Sequence, residues 1–151
     1  MSRSPQRMSA DEFRAHIRQP AWPDGAKAPA LLDAKTGDWR FREVPSTEQD
    51  VIDACLHIAT WHGYKALQKA ERGHRLLWYR TSTNARSRNA KGTPDYHIFN
   101  GVRTLAIEFK GPKTPASEEQ RVLNEAGGSY IIGPDGLNAF RDLITNKESN
   151  E

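Results

Sequence analysis

Asp95, Glu108 and Lys110 are the residues whose types and spacing best suit chemistry in this sequence. Glu108 and Lys110 stand two apart in Thr104-Leu105-Ala106-Ile107-Glu108-Phe109-Lys110, whose apolar content reads as a strand. Strand side chains alternate faces, so Glu108 and Lys110 share one face while Ile107 and Phe109 take the other. Charges in so apolar a strand are costly unless paired, metal-bound or at an edge. Asp95-Tyr96-His97-Ile98-Phe99 reads as the preceding strand, joined through Asn100-Gly101, a pair that accepts the positive φ of a type I′ turn. Counting outward from that turn sets Asp95 roughly level with residues 105–107, with its carboxylate and that of Glu108 in reach of one ion. Two carboxylates and a backbone carbonyl are hard oxygen ligands, suited to Mg²⁺ or Mn²⁺ rather than zinc. Such an ion polarises a phosphate and lowers the pKa of bound water. Lys110 would orient that water or offset charge developing on the phosphorane, and the sequence does not choose between the two. An isolated Glu-x-Lys is far more often a plain cross-strand salt bridge. Context has to decide.

The elements that must position these groups are legible from residue 46 onward. Ser46-Thr47-Glu48-Gln49 has a capping-box pattern, followed by Ile52, Cys55 and Ala59 at helical spacing and by Gly63 as a stop. Leu76-Leu77-Trp78-Tyr79 reads as a strand, and a polar loop over 81–93 leads to the Asp95 strand. After the hairpin, Ser117-Glu118-Glu119-Gln120 caps a helix that stops at Gly127-Gly128. A short strand over 129–132 and a helix over 137–146 complete the order α-β-β-β-α-β-α. Residues 1–45 carry five prolines, a helical candidate over 11–18 and a short strand candidate at Trp39 and Phe41; they read as an arm or edge addition of unknown role.

Bulk properties set the frame. A length of 151 residues suits one core with an appendage, and no apolar run approaches the ~20 residues of a membrane helix. Cys55 is the single cysteine, so no internal disulfide forms, and a reducing cytoplasm is the simplest setting. Net charge is only +3, with a pI near 9.1, but its distribution is uneven. Arg72, Arg75, Arg80, Arg86, Arg88 and Lys91 follow one another with no acidic residue among them. That block reads either as a solvated loop or as the footprint of a polyanion. Neither a Walker loop nor a dinucleotide-binding glycine pattern is present. His57 and His62, five apart, do not share a helix face for zinc.

Taken in order, Lys91-Gly92-Thr93-Pro94-Asp95, a hairpin, Glu108-Phe109-Lys110 and a helix bearing Gln120 resemble the VRR-NUC family of PD-(D/E)xK nucleases. The likeness spans about residues 46–132. It implies a restriction-endonuclease-like α/β core, αβββαβ plus a C-terminal helix around a mixed sheet, over residues 46–151. It also implies a Mg²⁺- or Mn²⁺-dependent DNA endonuclease. By the same resemblance Asp95 and Glu108 are metal ligands, joined by the main-chain oxygen of Phe109. Lys110 is the catalytic lysine, and Glu48 reaches the site from its helix directly or through water. Glu48 lies on the helix face turned to the sheet, yet a first-turn acid is favoured by the helix dipole alone. Gln120 takes either a role in the site or only the capping role with Ser117. Arg80, Arg86, Arg88 and Lys91 would contact phosphates beside the cut. Small phage and bacterial proteins of the family tend to be dimeric and to act on branched or Holliday-junction DNA, which sets the same expectation here. The alternative is a nuclease-fold module without turnover that binds nucleic acid or a protein partner.

Overall fold

A computed structural model of the chain describes residues 27–81 and 93–145. The helical candidate over 11–18, Arg86, Arg88, Lys91 and Gly92 lie outside the described residues. The elements run β1 (Ala30–Leu32), β2 (Trp39–Phe41), α1 (Glu48–Trp61), β3 (Lys65–Ala66), a 3-10 turn (Leu67–Lys69), β4 (Leu76–Arg80), β5 (Tyr96–Asn100), β6 (Thr104–Phe109), α2 (Glu118–Glu125), β7 (Tyr130–Ile132) and α3 (Leu137–Thr145). The chain is thus mixed α/β. Its five-stranded sheet has the order β3-β4-β5-β6-β7. The three central strands are antiparallel, while β3 and β7 join the edges in parallel.

One face of the sheet carries the core. Tyr96, Ile98, Leu105, Ile107, Phe109 and Ile132 are buried there against Val51, Ile52, Cys55 and Ile58 of α1 and Leu137, Phe140 and Ile144 of α3. Phe109 meets Tyr96 edge-on at 5.3 Å and Phe140 at 5.9 Å. Each buried Ile, Leu or Phe side chain contributes roughly 1.5–3 kcal/mol, so this face fixes which strand residues turn the other way. The described part of the N-terminal stretch joins the same core. Ala30 and Trp39 are buried, and Trp39 packs edge-on against His57 and Trp61. Asn138 clasps Trp39 by two hydrogen bonds, its Oδ1 accepting from the Trp39 amide and its Nδ2 donating to the Trp39 carbonyl. Among the described residues no helix is long and apolar enough to cross a membrane.

Three details depart from the sequence reading. The capping box of α1 starts at Thr47, with Asp50 as its partner, rather than at Ser46 with Gln49. The Asp50 carboxylate accepts from the Ser46 and Thr47 amides and from the Ser46 hydroxyl, three donors that a Gln49 amide would not serve as well. Gln49 instead donates to Asp53. A two-residue strand, β3, extends the sheet; so short a run carries no periodicity to find. The hairpin also turns one residue later than expected. Gly101 takes the left-handed φ of 94°, and the Asn100 amide donates to the Arg103 carbonyl. Buried Asn100 acts as the turn's acceptor, its Oδ1 receiving the amides of Val102 and Arg103.

Candidate active site

The displaced turn slides the hairpin register by two residues, which keeps every side chain on its face but changes its partner. Phe99 pairs with Thr104, His97 with Ala106 and Tyr96 with Ile107. One step further, Asp95 falls opposite Glu108 rather than beside residues 105–107. The ladder on its other side persists to the same point, where the Thr81 amide donates to the Asp95 carbonyl at 2.6 Å. Opposed residues of an antiparallel pair project to one face with their Cβ atoms about 4.5–5.5 Å apart. Asp95 and Glu108 are therefore neighbours on the face away from α1 and α3.

Glu108 is the unusual group. It is only 4% exposed, and one carboxylate oxygen, Oε1, has no hydrogen-bond partner among the described residues. The other, Oε2, stands 3.6 Å from the Lys110 ammonium, itself largely shielded. Burial, then the negative charge of Asp95, drives the Glu108 pKa up to about 7; Lys110 opposes the shift and Glu48 adds to it. Asp95, Lys110 and Glu48 are thus all within electrostatic range of Glu108. Among the described residues no three His, Cys, Asp or Glu side chains lie close enough to cage a metal ion by themselves. Mg²⁺ seldom needs such a cage, since one or two carboxylates, waters and substrate phosphates commonly suffice. A buried carboxylate oxygen without a donor fits that demand.

Glu48 arrives from the opposite side of the sheet because α1 begins where β6 ends. Gly111 makes this approach feasible. A Cβ on Gly111 would stand 2.5 Å from the Glu48 nitrogen and 2.9 Å from its Cα, contacts that backbone cannot relieve by a side-chain turn. The sequence reading missed Gly111. Its signal was a glycine placed directly after Lys110 and before Pro112.

The remaining expected residues divide. The side chain of Phe109 is buried in the core, leaving its carbonyl as the group it has to offer. Gln120 serves the capping box of α2: its Oε1 accepts from the Ser117 amide at 2.8 Å, and its amide donates to the Ser117 hydroxyl. Arg80 is exposed at the end of β4, with its guanidinium 5.5 Å from the Tyr96 ring centre. Thr81, unremarked in the sequence, closes the row beside Asp95. Its hydroxyl bonds the Pro94 carbonyl and stands 3.3 Å from His97 Nδ1. Searches of protein-family models, curated proteins and solved structures give no match to this chain.

Proposed function

We propose that the chain is a metal-dependent phosphodiesterase cutting DNA, with a restriction-endonuclease-like core of the VRR-NUC type. The supporting observation is the opposed pair Asp95 and Glu108, with Lys110 3.6 Å from Glu108 and a buried Glu108 oxygen lacking a donor. Asp95 and Glu108, with the carbonyl of Phe109, would hold Mg²⁺ or Mn²⁺. Such an ion, when bound, polarises the scissile phosphate and eases removal of a proton from the attacking water. Lys110 is the cation that pairs with Glu108 among the described residues, and a metal ion between Asp95 and Glu108 would relieve the repulsion that raises the Glu108 pKa. Lys110 keeps its ammonium at the same spot, where it orients water and offsets charge on the transferring phosphoryl group. Glu48 would supply a further acceptor at the rim, while Gln120 keeps the capping role that its bonds with Ser117 show. Arg80, with Arg86, Arg88 and Lys91 in the following loop, would hold flanking phosphates. A homodimer acting on branched DNA is the arrangement that the family resemblance favours.

Incubation of the full chain with plasmid and branched DNA in Mg²⁺, Mn²⁺ or EDTA tests this reading. Cleavage is expected with either metal, none in EDTA, and a loss of at least about 100-fold in Lys110→Ala with DNA binding retained. Metal-indifferent binding without cutting under any of these conditions would instead identify a binding module that lacks turnover.

A further inference from the structure

The face that carries Asp95 and Glu108 extends beyond them. In the next row, Tyr79 of β4 pairs with His97 of β5, and His97 with Ala106 of β6. The Tyr79 and His97 rings are stacked, 5.1 Å between centres and 9° from parallel. Leu77, Phe99 and Thr104 follow in the row after that. The opposite face of the same strands is buried under α1 and α3, but here Tyr79 is 38% exposed and His97, Phe99 and Ala106 are only half-buried. α2, the described helix outside that core, has no buried residue. An aromatic surface that starts two residues from Asp95, about 7 Å along the strand, is thus open to solvent in part, chiefly at Tyr79.

We propose that the Tyr79–His97 pair is a stacking platform for an unpaired nucleobase of the DNA strand whose phosphate lies at Asp95 and Glu108. This deepens the nuclease reading and rests on it: the substrate class becomes DNA with a single-stranded segment next to the cut. Charge supports that occupant over a protein partner. From Lys65 to Arg75 the chain carries Lys65, Lys69, Arg72 and Arg75, all exposed, against Glu71 as the one acid. Aromatic faces accept any base, and a cationic margin tracks the backbone, which is how single strands are generally held. His97 suits the role through its placement, its ring lying nearly parallel to that of Tyr79. Its Nδ1 lies beside the Thr81 hydroxyl, which helps fix the ring plane. A paired duplex would keep its bases stacked inside the helix and gain little from this surface.

The test uses the full chain in EDTA, so that binding is read without cleavage. The probes are a blunt duplex and the same duplex with a short single-stranded flank carrying the fluorescent base aminopurine. Wild type and Tyr79→Phe should prefer the flanked probe and quench its fluorescence. Tyr79→Ala and Tyr79→Val, the latter keeping a strand-favouring side chain, should lose about 5- to 100-fold in affinity for the flanked probe together with the quenching. Their affinity for the blunt duplex should be unchanged. Unaltered quenching in both ring-deleted variants, or an equal loss on the two probes, overturns the platform. The nuclease reading fails separately, through absence of metal-dependent cutting by the wild-type chain.

Discussion

A carboxyl group held up to about 7 makes Glu108 a sensor of pH in the metal-free protein. Its folded-state pKa is raised, so between the ordinary glutamate value and about pH 7 the native chain binds more protons than the unfolded one. Stability contributed by this residue is therefore full at low pH, falls as pH rises through that window, and is gone above it. The change is on the order of 3 kcal/mol at most. Urea unfolding in EDTA at about pH 5 and about pH 8 should show the decline in wild type and a much flatter profile in Glu108→Gln. On the proposed metal site, Mg²⁺ should restore wild-type stability chiefly at the higher pH, since an ion there would take the ionised carboxylate. Equal pH dependence in the two proteins would remove the basis for the raised pKa. The unusual setting of this residue was legible because a charge inside an apolar strand needs a reason. Its burial was not, because nothing in a linear pattern says how deeply a strand's second face is covered.

Among the elements, the junction of α1 with β6 matters most for the site. Gly111→Ala should lower the unfolding midpoint, with a cost of about 1–3 kcal/mol for forcing a methyl group into fixed backbone. If the helix start is displaced, the same variant should lose the proposed cleavage beyond what its remaining folded fraction explains, because Glu48 moves away from Glu108. Full activity with unchanged stability would show that the two elements can part without consequence. Helices α1, α2 and α3 were readable from caps and apolar spacing, and both strands of the hairpin from composition. Register was not, because Asn100-Gly101 satisfies a turn centred on either side of Gly101. Only the buried Asn100 side chain, accepting two turn amides, selects between them. The position of α1 against β6 was equally hidden, since it depends on a contact between residues 48 and 111.

At the scale of the molecule, charge and attachment decide how a polyanion would be met. The cations of β4 and its approach continue in sequence through Arg86, Arg88 and Lys91, directly before Asp95. Replacing Arg86 and Arg88 together by Ala should weaken DNA binding and reduce the slope of log affinity against log salt by about 2, near one unit per lost phosphate contact. An unchanged slope, measured by titration at several salt concentrations, would place the phosphate contacts elsewhere. The described residues also hold together differently from what composition suggests. Proline-rich residues 1–45 suggested an appendage, yet Trp39 lies inside the common core, and Arg141 of α3 pairs with Asp38 and bonds the Gly37 carbonyl. Proline content marks where regular structure stops. It does not mark where packing stops.

The hairpin tip has a long reach. Asn100 sits five residues from Asp95, about 17 Å at strand spacing, and touches none of the acidic groups. A substitution there that moved the reversal back by one residue would leave both strands paired and both faces intact. It would nonetheless bring Asp95 beside Ala106, with Glu108 stranded two positions further on. The alignment of the two acids is thus decided at the far end of the ribbon, by an amide side chain that takes no part in the chemistry.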